Sequence, residues 1–410
     1  MSNATRILLA LAAGLLLGIL GAGYAPEQSL AVANVANPVG NLWLNGLRMT
    51  IVPLVVALLV AGIAQTAEAA RAGRIAGLAL GWITAIMALS AIVGAVTMPL
   101  LLDLFPMPGD SARALREALG VTAPPAPVPP FADFLVAIVP TNPVQAAASD
   151  AILPLLIFTG LFAFALTKLS REPRLLLTNF FVAIGDALLI VIEWVLKLAP
   201  IGVFALAFVV GARSGTAAFG ALLHYIILVA SVGLVMSVLS YPVAVFGGRV
   251  RLGDYVRQIA PVQALAVSTQ SSMACLPMML KKSEALGVKE STAGVVLPMA
   301  VALMRATGPG MNLAVALYVA NWFGVELGPG QYAVAIVAAT LTSMGSVSLP
   351  GQISFITAIA PICLAVGVPV EPLALLIAVE TLPDIMRTLG NVMMDVAVTT
   401  AVGRADGEES

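Results

Sequence analysis

The sequence predicts an all-α polytopic membrane protein, and three observations predict it. Of its 410 residues, 60% are hydrophobic and 10% charged, with a mean hydropathy of +1.02; in a typical soluble chain about a quarter of residues are charged. Apolar runs lie near 7–23, 41–66, 75–102, 132–167, 176–211 and 218–247, and several exceed the roughly 20 residues a spanning helix needs. Beyond them, residues 256–401 form a more broken region with two small-residue interruptions and one charged stripe.

Taken in order, the first run begins just after Arg6 and lacks a small-residue cleavage site, so it reads as a retained helix rather than a signal peptide. Runs longer than one span imply tilt, kinks or two segments in one run. The stretch 103–130, with PMPGD and TAPPAPVPP, is too proline-rich to cross a bilayer and is expected to be an extracellular connector. Basic residues set the orientation. With the N-terminus cytoplasmic, Arg6, Arg71, Arg74, Lys168, Arg171, Arg174, Arg249, Arg251, Arg257, Lys281, Lys282, Lys289 and Arg404 fall on one side, which places both termini in the cytoplasm of a multi-pass protein of the cell inner (plasma) membrane.

Other features point away from different classes. A net charge of −1 without a basic run gives no reason to expect nucleic acid. Cys275 and Cys363, both in hydrophobic hairpin-like segments, are too few for a disulfide framework and are expected to be packing residues. His224, the only histidine, lies on an apolar helix and is expected to be packed, since no relay partner is visible near it in sequence. No serine has an evident Lys or His partner, and neither G-x-S-x-G nor H-E-x-x-H occurs, so the chain is not expected to be an enzyme. No resident cofactor or metal is implied.

The two interruptions are STQSSMACLP at 268–277 and TSMGSVSLPG at 342–351, each ending its small polar tip in Leu-Pro. Each precedes a longer helix, 291–323 and 371–401, in the inverted-repeat pattern of secondary transporters with broken helices. Unwound backbone at that depth is tolerable only beside a cavity or site, and re-entrant tips present helix N-termini that favour carboxylates.

In the last segment, Glu380, Asp384, Arg387, Thr388, Asn391 and Asp395 are offset by 0, 4, 7, 8, 11 and 15 residues. On a helix these offsets share roughly 100° of arc. Each ionised group at mid-bilayer costs about 2.5–3.5 kcal/mol on insertion scales. The stripe must therefore line a protein-enclosed site. One Arg, a neighbouring Asp and serine-lined tips suit a small zwitterion with an extra carboxylate, because a pure dicarboxylate would leave Asp384 facing like charge.

These residues resemble the glutamate and aspartate transporter family, also called dicarboxylate or amino acid:cation symporters, and the chain looks like a divergent prokaryotic member. NPVGNLWLNGLRMTIVPLVVALLVAGIAQ at 37–65 is similar to the family's second helix, PTNPVQAAASDAILPLLIFTGLFAFAL at 140–166 to its fourth and APIGVFAL at 199–206 to its fifth. DIMRTLGNVMMD at 384–395 resembles its final-helix motif D-M-x-R-T-x-x-N-V-x-x-D.

The resemblance implies eight transmembrane helices plus two re-entrant hairpins in a homotrimer that works as an elevator in the lipid bilayer. Scaffold helices would occupy 1–70 and 103–212, and the moving transport domain 71–102 and 213–404, with hairpins at 256–290 and 331–367. It further implies that Arg387 clamps a side-chain carboxylate, Asp384 an α-ammonium group and Ser272 an α-carboxylate, with Ser271 beside it in the substrate-binding set. Thr388 and Asn391 would complete the shell, and Pro350 and Gly351 would belong to the gating hairpin.

The chain also departs from that pattern. Where the family carries the sodium motif N-M-D-G-T, the ungapped alignment of 296–327 puts Met304, Arg305, Ala306, Thr307 and Gly308; a third-helix Thr-Ser pair falls on Ile86 and Met87. Sodium needs hard oxygen ligands, which the side chains of Met, Arg and Ala do not offer. The expectation is that the Arg305 guanidinium stands in for bound sodium near Asp395 or Glu380, so that sodium coupling is lost or weakened and proton coupling through Glu380 or Asp395 becomes possible. Gln352 and Ile353 replace flexible gate residues, and Pro383 is expected to bend the last helix near Asp384.

The function expected is secondary transport of aspartate- or glutamate-like acids. The alternatives are a sodium- or proton-coupled C4-dicarboxylate symporter and a non-transporting sensor or channel on the same scaffold.

Overall fold

The computed structural model describes residues 3–70, 73–107, 136, 139–149, 151–215, 217–345 and 351–407. Every regular element among them is helical. In chain order these are α1 (Asn3–Tyr24), α2 (Pro26–Ala70), α3 (Arg74–Leu104), α4 (Pro143–Ala148), α5 (Ile152–Leu166), α6 (Arg171–Lys197), α7 (Ala199–Ser214), α8 (Ala217–Pro242), α9 (Leu252–Thr269), α10 (Ser272–Ala285), α11 (Glu290–Leu303), α12 (Gly308–Phe323), α13 (Pro329–Gly345), α14 (Gly351–Ala365), α15 (Leu373–Leu376) and α16 (Thr381–Ala405). A π-helical turn, Val243–Gly247, follows α8. Among the described residues, six stretches are long and apolar enough to cross a membrane, one of them the α11–α12 pair taken together.

Small residues set the closest helix contacts. A Cβ at Gly14 would meet the Phe204 carbonyl oxygen at 2.6 Å, one at Gly18 the Ala212 nitrogen at 2.7 Å, and one at Gly211 the Leu15 carbonyl oxygen at 2.6 Å. Glycines spaced one turn apart on α1 thus seat it backbone-to-backbone on α7, the small-residue packing that apolar helices use in lipid. The same device joins α3 to α12: Gly94 lies against Gly310, whose N–H donates to Ser90 Oγ at 3.0 Å.

Helix pairs flank both expected hairpin tips, α9 with α10 and α13 with α14. In the first, α9 ends at Gln270, in the left-handed conformation (φ 51°), and α10 starts after Ser271, whose hydroxyl accepts the Ala274 N–H at 3.3 Å. This pair packs on α16, while the second pair, α13 and α14, lies against α2 and α5. The second tip, including Pro350, lies outside the described residues, as does most of the proline-rich connector at 103–130. Gly351 opens α14, and the Gln352 and Ile353 side chains are also outside the described set.

The fourth-helix segment is split. Asn142 caps α4, its Oδ1 accepting the Val144 and Gln145 N–H groups at 3.0 and 3.1 Å, with Pro143 opening the helix; Asn-Pro suits this position because the cap supplies an acceptor and proline needs no partner. Cys275 and Cys363 are fully buried, free packing residues.

Two expectations are corrected. The last helix does not run unbroken from 371: a turn at 377–380 separates α15 from α16, leaving Glu380 at the N-cap. Pro383 does not bend the axis, since it occupies the first turn of α16, where backbone N–H groups lack intrahelical partners and proline is tolerated.

Candidate functional site

Three pieces of backbone assemble the polar centre. The first is the unwound segment 304–307 between α11 and α12, where Met304 is extended (φ −97°, ψ 109°). The second is the turn at 377–380, and the third is the first four turns of α16. Breaks of this kind leave backbone groups that side chains must satisfy. Thr307 does so for the first: its N–H and its hydroxyl lie 2.9 Å from Asn391 Oδ1, and the hydroxyl also lies 3.0 Å from the Arg387 carbonyl oxygen.

Arg387 is the hub. Its Nη2 donates to Glu380 Oε1 at 2.6 Å, its Nε faces Asp384 Oδ1 at 3.2 Å, and its Nη1 donates to Asn312 Oδ1 at 2.8 Å. The remaining oxygen of Glu380 accepts the Tyr225 hydroxyl at 3.2 Å. Arg387 is 5% exposed and Glu380 1%. Two carboxylates around one guanidinium, with an amide and a phenol filling the other positions, meet the requirement that buried charges be paired and hydrogen-bonded. Asp384 is half-buried, so the cluster has a sealed inner side at Glu380 and a more open edge at Asp384.

Arg305 sits on the unwound segment, half-buried, within electrostatic range of Asp384 and Arg387. Glu380 is already paired with Arg387 and Tyr225, and Asp395 is 0% exposed with neither carboxylate oxygen hydrogen-bonded among the described residues. With Arg305 and Arg387 set against Glu380 and Asp384, the outer cluster balances when all four are ionised, and Asp395 remains apart from it.

The structure thus brings together Asp384, Arg387, Asn391, Glu380 and Arg305. Thr388 is buried one residue on from Arg387. Ser271 and Ser272 are half-buried at the tip of the first hairpin, and the Ser271 hydroxyl is used as a helix cap. Pro350 cannot be placed, being outside the described residues.

Sequence reasoning missed Tyr225, Thr307 and Asn312. Asn312 had a signal, as one of two amides among the apolar residues of α12. His224 also has partners that its neighbours in sequence do not reveal: Nδ1 lies 3.1 Å from the Tyr318 hydroxyl and Nε2 2.8 Å from the Phe105 carbonyl oxygen, so it ties α8 to α12 and to the end of α3.

Comparison with known proteins agrees with this architecture. Residues 4–405 match the model of the sodium:dicarboxylate symporter family. The chain is 27% identical over 421 residues to the proton/glutamate-aspartate symporter of Escherichia coli K12, covering 98% of this chain and 92% of that protein. It is 30% identical over 406 residues to a C4-dicarboxylate transport protein of Rhizobium etli (98% and 89% covered) and 29% identical over 407 residues to one of Laribacter hongkongensis (97% and 88% covered). Matched over nearly its whole length, with the polar motif of α16 enclosed between two helix breaks, the chain belongs to the sodium:dicarboxylate symporter family, as an integral membrane protein that transports its substrates and is not an enzyme.

Proposed function

We propose that the protein is a secondary transporter of small acids carrying two carboxylates, with aspartate- and glutamate-like amino acids and C4 dicarboxylates as the two candidate groups. The observation that carries this reading is the Arg387 cluster, a buried guanidinium ringed by Glu380, Asp384 and Asn312 at the junction of two helix breaks. The relatives' names divide between the two substrate groups. The geometry weakens the reason for preferring amino acids, because Asp384 is paired with Arg387 and no longer stands as an isolated charge that would repel a dicarboxylate.

Transport by an elevator motion in a homotrimer fits the family pattern. In this reading α1, α2 and α4–α7 form the scaffold, while α3 and α8–α16 carry Ser271, Ser272, Thr388, Asn391 and the gate residues Pro350 and Gly351. Both termini would face the cytoplasm.

For the coupling ion we favour the proton over sodium. Met304 and Ala306 bring no side-chain oxygen to the α11–α12 break, and Arg305 already supplies fixed positive charge there. Asp395, buried with both oxygens unpartnered among the described residues, requires a counter-ion, and a proton meets that need without further ligands.

The test is uptake of labelled aspartate and succinate into liposomes under imposed pH or sodium gradients, with Asp395→Asn alongside. Accumulation that follows the pH gradient and is lost in Asp395→Asn supports the reading. Accumulation that needs sodium overturns the coupling, and binding without uptake would favour a sensor.

A further inference from the structure

Two amides belong to the polar centre, and both are held the same way round. Asn391 Oδ1 faces the Thr307 N–H at 2.9 Å, and Asn312 Oδ1 faces Arg387 Nη1 at 2.8 Å. A backbone N–H and a guanidinium can only donate, so each amide must turn its oxygen toward them and its nitrogen away. Asn312 is 3% exposed and Asn391 7%. Neither Nδ2 donates a hydrogen bond among the described residues, yet neither is sealed off in the way that Trp322 Nε1, further along α12, is buried without a partner.

We propose that Asn312 is a substrate-contacting residue whose NH2 group donates to a carboxylate oxygen of the transported acid. The inference rests on the transport reading above and deepens it: Asn312 adds a donor from α12 to the shell that Asp384, Thr388 and Asn391 supply from α16. A buried amide that leaves its donor end unused costs about 1–3 kcal/mol, and an unpaired group of this kind calls for a reason in function. A binding site supplies one, because the missing acceptor arrives with the ligand. Both ends of an amide hang from one carbon, so the unused nitrogen lies beside the guanidinium that holds the oxygen. A carboxylate has about four lone-pair positions and can accept from several donors at once. Arg387 thus orients Asn312 as Thr307 orients Asn391, and the α12 side of the site becomes a donor-only position. It matches a carboxylate oxygen and rejects an ammonium group, which would bring donor against donor. Amino acids with an acidic side chain and C4 dicarboxylates both meet that requirement.

The experiment is calorimetry on the purified full-length protein in detergent, with two ligands. Succinate is compared with 4-aminobutanoate, in which an aminomethyl group replaces one carboxylate. Asn312→Asp keeps an oxygen for Arg387 and exchanges only the NH2 group for a second oxygen. It is expected to bind succinate about 30-fold more weakly, the worth of one charge-assisted hydrogen bond, and to bind 4-aminobutanoate no more weakly than the wild type does. Asn312→Ser adds no charge and is too short to reach the ligand, so it separates loss of the donor from repulsion by a new acid. Its affinity for succinate is expected to fall about tenfold. Melting temperatures of both variants establish that the protein titrated is folded.

Succinate affinity within about threefold of the wild type in either folded variant overturns the inference, with the NH2 group facing water only, and leaves the transport reading intact. An equal loss for both ligands in Asn312→Asp overturns it as well, since that is general damage to the site. If Asn312→Ser does not fold, Asn312→Asp decides by the ratio of its two affinities. Failure of the wild type to bind succinate or aspartate overturns both readings.

Discussion

Thr307 places two donors, its backbone N–H and its hydroxyl, 2.9 Å from one acceptor, Asn391 Oδ1. This pins the unwound segment carrying Arg305 to the helix carrying Arg387. Asn391→Leu would leave the buried Thr307 N–H without an acceptor, at a cost of about 1–3 kcal/mol. Thr307→Val removes the hydroxyl but keeps the N–H bond and should cost about 1 kcal/mol. Thermal unfolding in detergent is expected to rank the leucine variant below the valine variant; equal melting points would show that the N–H bond is not what holds the break.

The Glu380–Arg387 pair predicts a second ranking. Glu380→Gln removes one of two carboxylates from a buried guanidinium, with an expected loss of about 3 kcal/mol. Tyr225→Phe deletes a single hydrogen bond to Glu380, worth about 1 kcal/mol. Denaturation of both variants measures this directly, and a Tyr225→Phe loss as large as that of Glu380→Gln would mean that the phenol supports something beyond the carboxylate.

Glycines on α3 and α12 give a contrast between two packed helices. A Cβ at Gly310 would meet the Ser90 carbonyl oxygen at 2.5 Å, backbone against backbone, so Gly310→Ala must push the helices apart. A Cβ at Gly77 meets nothing within 4 Å, and Gly77→Ala should be neutral or stabilising by up to about 1 kcal/mol. Yield and melting temperature after extraction separate the two, with a clear fall expected for Gly310→Ala alone.

Arg48 on α2 and Glu371, just before α15, pair at 2.6 Å with each side chain 34% exposed. Such a partly exposed bridge is worth only about 0.5 kcal/mol. If α14 and α15 shift past α2 during transport, the bridge exists in one state only and biases the two states about twofold. Arg48→Glu and Glu371→Arg should each alter the uptake rate by about that factor without changing stability, and the double exchange should restore it. Three identical rates would argue against motion at this boundary.

Much of this arrangement was legible in sequence because it is periodic. The spacing of Asp384, Arg387, Asn391 and Asp395 on one face of α16 follows from 100° per residue, and the serine tip at 271–272 marks the first hairpin turn. What was not legible comes from other elements. Tyr225, Thr307 and Asn312 reach Glu380, Asn391 and Arg387 from 155, 84 and 75 residues away, and no local pattern encodes such contacts. The same limit applies to the surroundings of Arg305. Counting charges showed that a cation had been added to the region, but the choice among Glu380, Asp384 and Asp395 depended on which acids were already paired. Glu380 was expected on the helix; the turn at 377–380 instead puts it at the helix mouth, where its carboxylate turns back toward Arg387.

The glycine seam between α1 and α7 limits how this molecule can work. Sliding one helix along another needs side chains that can change rotamer and reseat, one notch at a time. At Gly14, Gly18 and Gly211 main chain rests on main chain, and there is no side chain to reseat. The two helices must travel, or stay still, as a single plank. Any shear in this protein has to run along surfaces furnished with flexible side chains, and the boundary where the long side chains of Arg48 and Glu371 meet is one of these.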